Sequence, residues 1–302
     1  KIHGYFLSRY YQIKIFILAF FPLKNLLKKN NPDFIILHLV TSLPLFLNFL
    51  FSFKTKIILR ISGLPKLNFI RLFFWNIFLK KINIVTSPTK ATLDYLKSKF
   101  KLNKIYLIRD PVLDVLNIEN KKINKDPNIK NFVAIGRLTK QKNFIFLLEC
   151  FKEIINKNPK INLFILGEGE DYYKLNKFIK KNNLQKNIFL KGYRKNVFEY
   201  LKSSDAFILS SLWEDPGFVL IEAAYSNTFI ISSNCNNGPV EIVDKERNGF
   251  LFESNNKKDF LKVFDKFENS KISSIYEKKV NAKKMSRKYS LFNHYKEFIK
   301  IL

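Results

Sequence analysis

The 302-residue sequence is poor in the residues that build thiol and metal chemistry. It has two cysteines, Cys150 and Cys235, and three scattered histidines, His3, His38 and His294. These exclude a disulfide framework, give no Cys/His ligand spacing and fit a reducing compartment. Acidic residues are also scarce, 25 Asp+Glu against 53 Lys+Arg, and the formal net charge is +28. No Asp-x-Asp stretch occurs, so nothing in the sequence calls for a bound divalent cation. Long apolar runs are missing too. The longest charge-free apolar run, Leu43 to Phe53, is 11 residues and contains Pro44, too short to span a bilayer, and no signal peptide is visible.

What is present is a 47% hydrophobic chain long enough for two domains of ordinary size. Much of the positive charge reflects a general bias towards Lys, Asn, Ile and Phe, as an AT-rich coding sequence would produce. The lysines are spread over helix surfaces, without the basic, aromatic-interleaved stripe of a nucleic-acid-binding protein, and no nucleic-acid partner is expected. Residues 1–115 hold 19 Lys+Arg and 4 Asp+Glu, a net of +15, and the remainder carries the other +13 (28 − 15). The N-terminal third is therefore the more basic part, and it is rich in Phe and Leu.

Short apolar strands alternate with helical stretches along the whole chain, which predicts an α/β fold with parallel sheets. In the first part we expect an amphipathic helix over 10–29, strands at Phe34–His38, Lys56–Ile61, Ile82–Thr86 and Lys104–Arg109, and helices at Thr41–Phe53 and Phe69–Leu79. Ser87-Pro88 is expected to open a further helix, with Ser87 as N-cap. Residues 117–130 are polar and unpatterned and read as a linker. The alternation then restarts with strands at Phe132–Ile135, Asn162–Leu166, Asn187–Leu190, Ala206–Leu209, Thr228–Ile231 and Gly249–Phe252. Phe144, Leu147, Leu148, Phe151, Ile154 and Ile155 form one helical stripe between the first two. A last helix near Phe292–Ile301 presents Phe292, Tyr295, Phe298 and Ile299 on one face. The domains expected are 1–116, a linker 117–130, a second domain 131–285, and a C-terminal helix over 286–302 that packs back on the first domain.

The stretch that stands out is Ser210-Ser211-Leu212-Trp213-Glu214-Asp215-Pro216-Gly217-Phe218-Val219-Leu220-Ile221-Glu222. It follows a strand, and a helix is expected to begin at Pro216. Gly217 and Phe218 would then offer free N–H groups at a helix N-terminus, a ready anion site. Val219, Leu220, Ile221, Ala223 and Ala224 make that helix apolar nearly all round, so a carboxylate on it, Glu222, needs a reason. Three further strand-end loops belong with it. Gly136-Arg137 runs to Lys142-Asn143, where Arg gives a bidentate fork and Lys a point charge for phosphate. Gly167-Glu168-Gly169 is a second glycine turn, and Gly192-Tyr193 a third, with a ring on which a base could rest.

In this order the motifs resemble those of glycosyltransferase family 4, a group of retaining enzymes with the GT-B fold. The likeness covers roughly residues 130–260. It implies two Rossmann-like domains facing across a cleft, the first incomplete at its start, and metal-independent transfer of a sugar from a nucleotide-diphosphate sugar, with retention and without a cofactor. Carried over to this sequence, Arg137 and Lys142 would bind the donor pyrophosphate, with Gly136 and Gly167 in the adjoining turns. Glu214, with Gly217, Phe218 and Val219, would contact the sugar, Glu222 the ribose, and Gly192-Tyr193 would lie by the base. Glu214, Arg137 and Lys142 are the expected catalytic residues. Two fixed cations and a helix N-terminus answer the charge that builds on a leaving diphosphate.

This sequence departs from the family in places. Asp215-Pro216 stand where a Gly and an aromatic are common, and Ser62-Gly63 where a His often follows the strand ending at Arg60. The glycine-rich loop expected after a first strand is absent, as though the chain opened late. His38, Arg60 and Ser62 are the expected acceptor-side residues. The acceptor would be a glycan or a lipid-linked glycan in surface polysaccharide or glycolipid synthesis. The basic, Phe-rich first third would dock peripherally on an anionic membrane, at the inner face of the cell membrane with the rest in the cytoplasm. The alternatives are a nucleotide-sugar epimerase or phosphorylase on the same plan, or a truncated donor-binding relative without activity.

Overall fold

The computed structural model describes residues 2–302 except 39–41, 52, 66, 103, 115–117 and 119–125, and for residues 2–9 and 12 the backbone alone. The chain forms two compact units, residues 1–108 and 109–300. Most of the expected linker (117 and 119–125) lies outside the described residues, as does Thr41.

The first unit holds helix α1 (Ile2–Asn30), strand β1 (Phe34–Leu37), α2 (Ser42–Phe51), β2 (Lys56–Arg60), α3 (Phe69–Phe78), β3 (Ile84–Ser87), α4 (Lys90–Lys99) and β4 (Ile105–Leu107). Its four strands are parallel and lie in the order β1-β2-β3-β4. Leu37, Leu59, Val85, Trp75 and Leu96 share its core. Two expectations fail here. Thr89, not Ser87, caps α4, its Oγ1 accepting from Thr92 N–H at 3.3 Å. Ser87 stays in β3, paired with Leu107, because the residue before a proline disfavours helical φ/ψ. The first helix is longer than the expected 10–29. Among its residues with described side chains only Leu27 is buried, while Tyr10, Ile13, Ile17, Leu18 and Phe21 are more than half exposed.

The second unit holds β5 (Lys130–Ile135), α5 (Phe144–Lys157), β6 (Ile161–Leu166), α6 (Tyr172–Lys181), β7 (Ile188–Leu190), α7 (Phe198–Lys202), β8 (Ala206–Leu209), α8 (Phe218–Tyr225), β9 (Phe229–Ser233), α9 (Pro239–Val243), β10 (Phe250–Phe252), α10 (Lys257–Glu268), α11 (Ile272–Ser286) and α12 (Leu291–Ile299). Its six strands are parallel in the order β10-β9-β8-β5-β6-β7. Strand alternation divides β5 between two cores: Phe132 and Ala134 join the layer under α5, α6 and α10, while Val133 and Ile135 join the layer under α8, α9 and α11. All six residues of the α5 stripe are buried, as its spacing predicts. The α12 face is not: Phe292, Tyr295 and Ile299 are exposed.

The order of the second sheet decides where a ligand goes. The chain runs β5 to β6 to β7 in one direction, returns, and lays β8 on the other side of β5. In open α/β sheets the crevice outside the strand ends at such a reversal is where ligands bind. Here it lies between the loops that leave β5 and β8.

Candidate functional site

The loops after β5, β6 and β7 are stitched together through their backbones. Gly136 N–H donates to Leu166 O at 2.9 Å, Leu138 N–H to Glu168 O at 2.8 Å, and Gly167 N–H to Gly192 O at 2.8 Å. Gly167 stands at φ 136°, and a Cβ there would lie 2.0 Å from the Gly136 carbonyl oxygen, so only glycine permits the approach. A cavity of about 320 Å³ opens on these loops, lined among others by Ile135, Gly136, Arg137, Gly167, Tyr193 and Val197. That is at the small end of ligand pockets, enough for a nucleoside. Tyr193 is exposed at its rim, its N–H 3.4 Å from Glu168 Oε1. Arg137 Nη2 donates to Gln141 Oε1 at 3.4 Å.

Across the reversal, Lys142 Nζ meets Glu214 Oε1 at 2.5 Å. Asn143, in left-handed conformation at φ 53°, turns the chain from Lys142 into α5. Glu214 is 4% exposed, and its burial is compensated twice at the same oxygen, by Lys142 and by Ser211 Oγ at 2.5 Å. The support continues outward. Ser210 Oγ donates to Lys142 O (2.8 Å), Ser233 Oγ to Ser211 O (2.7 Å), and Gln141 Nε2 to Trp213 O (3.0 Å). Sequence reasoning does not single out Ser211, Gln141 or Asn237, whose Nδ2 donates to Asp215 Oδ1 at 2.7 Å, since a serine or amide announces a role only through its partner. Cys235 lies near this pair, but burial pushes its thiol up to about 11, which leaves it unreactive at neutral pH.

The helix after Glu214 begins two residues later than expected. Gly217 is its N-cap at φ 87°, a left-handed geometry no helix continues through, so Phe218 and not Pro216 is the first helical residue. The N–H groups of Gly217, Phe218 and Val219 donate to no backbone oxygen among the described residues, and they sit beside Glu214, whose Cγ would be 3.4 Å from a Cβ at Gly217. Glu222 lies four residues into α8, roughly 6 Å along its axis. Leu220, Ile221, Ala223 and Ala224 around it are buried. Desolvation by that burial raises the Glu222 carboxyl from 4.5 to about 7. Its side chain makes no hydrogen bond or ion pair to the described residues.

The structure thus gathers Gly136, Arg137, Lys142, Gly167, Gly192, Tyr193, Glu214, Gly217, Phe218, Val219 and Glu222 at the strand-end face of one sheet. His38, Arg60 and Ser62 lie in the first unit, where β1 and β2 end side by side and Arg60 Nη1 donates to His38 Nε2 at 2.5 Å. Among the described residues no group of three His, Cys, Asp or Glu side chains could hold a metal ion, and no helix is long and apolar enough to cross a membrane.

The chain has relatives among known proteins. The chain is 34% identical over 254 residues to an uncharacterized glycosyltransferase of Methanocaldococcus jannaschii, covering 76% of this chain and 62% of that protein. It is 33% identical over 175 residues to UDP-Gal:alpha-D-GlcNAc-diphosphoundecaprenol alpha-1,3-galactosyltransferase of Escherichia coli, covering 56% and 44%. The chain therefore spans about half the length of these curated relatives. Among solved structures, HepE of Anabaena in complex with UDP and glucose superimposes with a TM-score of 0.76 at 14% identity, over 92% of this chain and 80% of that one, and the fold is GT-B. Residues 117–289 match the family profile of the glycosyl transferases group 1, and the chain belongs to that family.

Proposed function

We propose that this chain transfers a glycosyl group from a nucleoside-diphosphate sugar, with UDP as the first candidate diphosphate, to a glycan or lipid-linked acceptor, with retention and without a metal or cofactor. Arg137 and Lys142 hold the diphosphate, and the N-terminus of α8 adds its dipole as the leaving oxygen gains charge. The Lys142 ammonium has three protons, so it can keep Glu214 and still donate to phosphate. Glu214, Gly217, Phe218 and Val219 face the sugar, Glu222 takes the ribose hydroxyls, and Tyr193 closes over the base. The observation that carries this reading is the Lys142–Glu214 pair at the reversal of strand order, directly before a helix N-terminus with free donors. The UDP named for both the E. coli and the Anabaena proteins supports uridine as the base.

The test is a thermal-shift panel with UDP, GDP, ADP and their common sugar conjugates on the wild type and on Arg137→Ala. A ligand at about 100 times its dissociation constant adds roughly 2.7 kcal/mol of stability. Stabilisation by one diphosphate, lost in Arg137→Ala, is expected; no response to any of the three rejects the reading.

For the acceptor side we propose His38, Arg60 and Ser62, and peripheral docking of the first unit on the inner face of an anionic membrane. The exposed apolar residues of α1 and of α3 (Phe69, Ile70, Phe73), in a segment of net charge +15, support docking. Co-sedimentation with phosphatidylserine vesicles at low salt checks it, and failure to sediment there rejects it.

A further inference from the structure

Building on the reading of the first unit as a membrane-docking part, we infer that a cavity at the edge where its strands begin holds the headgroup phosphate of an anionic phospholipid. The cavity has a volume of about 380 Å³ and opens between the segments that lead into β3 and β4. Lys80, Lys101 and Lys104 line it, with Leu79, Ile82 and Leu102 as its apolar part. No carboxylate lines it among the described residues. The three ammonium groups make no hydrogen bond or ion pair to the described residues either. Residues 1–108 hold two acids, Asp33 and Asp94, and neither borders the cavity. Three unanswered cations around one hollow repel one another, and a phosphate held among them relieves that repulsion.

The surroundings of the cavity favour a lipid over a phosphate in solution. Asn83 and Lys104 stand one residue before β3 and β4, and in this parallel sheet the same edge carries the starts of β1 and β2. There Lys56 Nζ lies 5.2 Å from the centre of the Phe34 ring. Helices α1 and α2 end at this edge, since each delivers the chain to the start of the next strand. Near their ends Lys24 Nζ lies 4.2 Å from the centre of the Phe51 ring, and Lys81 Nζ lies 4.9 Å from that of Phe49. Lys81 directly follows Lys80 of the cavity, and its Nζ also donates to Phe49 O at 2.9 Å, so the row of rings begins beside the hollow. Phe49, Leu50 and Phe51 are more than a third exposed. Lysine stems against rings, with the ammonium groups at the margin, suit a membrane interface: the rings enter the acyl boundary and the charges meet phosphate. His38 and Arg60 stand at the other ends of β1 and β2, so this cavity is separate from the proposed acceptor residues.

Co-sedimentation at low salt with vesicles of phosphatidylcholine and phosphatidylserine in equal parts tests this. The proteins are the wild type, the triple variant Lys80→Gln/Lys101→Gln/Lys104→Gln, and a control of the same net charge, Lys174→Gln/Lys177→Gln/Lys180→Gln, on α6. All six lysines are exposed. Each lysine at an anionic surface is worth about fivefold in binding, so the triple variant is expected to bind roughly a hundredfold more weakly, and the control to change far less. If the triple variant melts early, Lys104→Gln alone decides, with an expected loss of about fivefold. An equal loss in the triple variant and the control, or no loss in either, overturns the cavity and leaves docking standing. Calorimetric titration with glycerol phosphate, without vesicles, is expected to give no heat; binding that the triple variant loses would make the occupant a soluble phosphate and overturn the lipid. Failure of the wild type to sediment removes the docking reading, and this inference with it.

Discussion

Replacing Glu222 with glutamine should make the empty protein more stable above neutral pH while abolishing its response to nucleoside diphosphate. Burial raises this carboxyl from 4.5 to about 7. Below pH 4.5 the folded and unfolded chains are both protonated, and the group imposes no penalty. Between 4.5 and 7 the folded protein keeps a proton that the unfolded chain has lost, so stability falls as pH rises, by roughly 1.36 kcal/mol per unit. Above 7 both states are ionised and the penalty is constant. The interval from 4.5 to about 7 gives a total of about 3 kcal/mol. Glutamine carries no charge and escapes this slope; any cost of its own buried amide is the same at every pH. Urea unfolding, followed through Trp213 in a Trp75→Phe background, is the assay. The variant should gain on the wild type steadily from pH 5 to pH 7, and by pH 8 its relative stability should have risen by about 2.5 kcal/mol over that at pH 5, or roughly 5–10 °C in melting temperature. A stability difference identical at pH 5 and pH 8 would refute the reasoning.

Lys142→Ala leaves Glu214 buried with its charge unmatched and should cost about 3–5 kcal/mol in urea unfolding; the double variant with Glu214→Gln should recover much of that. Ser211→Ala removes the second donor to the same oxygen and should cost about 1–3 kcal/mol by the same measurement. Gly167→Ala drives a Cβ to 2.0 Å from the Gly136 carbonyl. It should lower the melting temperature by several degrees, an expected loss of about 2 kcal/mol or more, and weaken diphosphate binding by moving the adjoining turn.

The second unit was largely legible because its strands are continuous apolar runs and its glycine turns stand at their ends. The α5 stripe could be read residue by residue, since its six apolar positions follow the helical period with no competing pattern. Boundaries at prolines were the weak points. Ser87-Pro88 and Pro216 both resemble helix starts, yet Ser87 is held in a strand by its neighbour and Gly217 bends the wrong way for a helix. The first helix extends beyond its expected bounds at 10–29, and most of its apolar surface is open among the described residues. Within the site, charged and glycine positions were readable, whereas Ser211 and Asn237 act through partners in other loops, and no local pattern records them.

The return of the chain across the second sheet also sets an order of events in synthesis. Lys142 and Glu214 are separated by 72 positions, and β5 reaches β6 long before it can reach β8. A ribosome that has delivered residues up to Lys202 has supplied β5, β6 and β7 and every glycine turn of the base-side cavity, but no partner for the Lys142 ammonium. Closing the longer loop adds little entropy, about 0.6 kcal/mol for each doubling of length, so the delay comes from waiting for chain. The pair that joins the two halves of the site can therefore form only after β8 and its following loop have been delivered, with β9, β10 and the helices from α8 onward still to come.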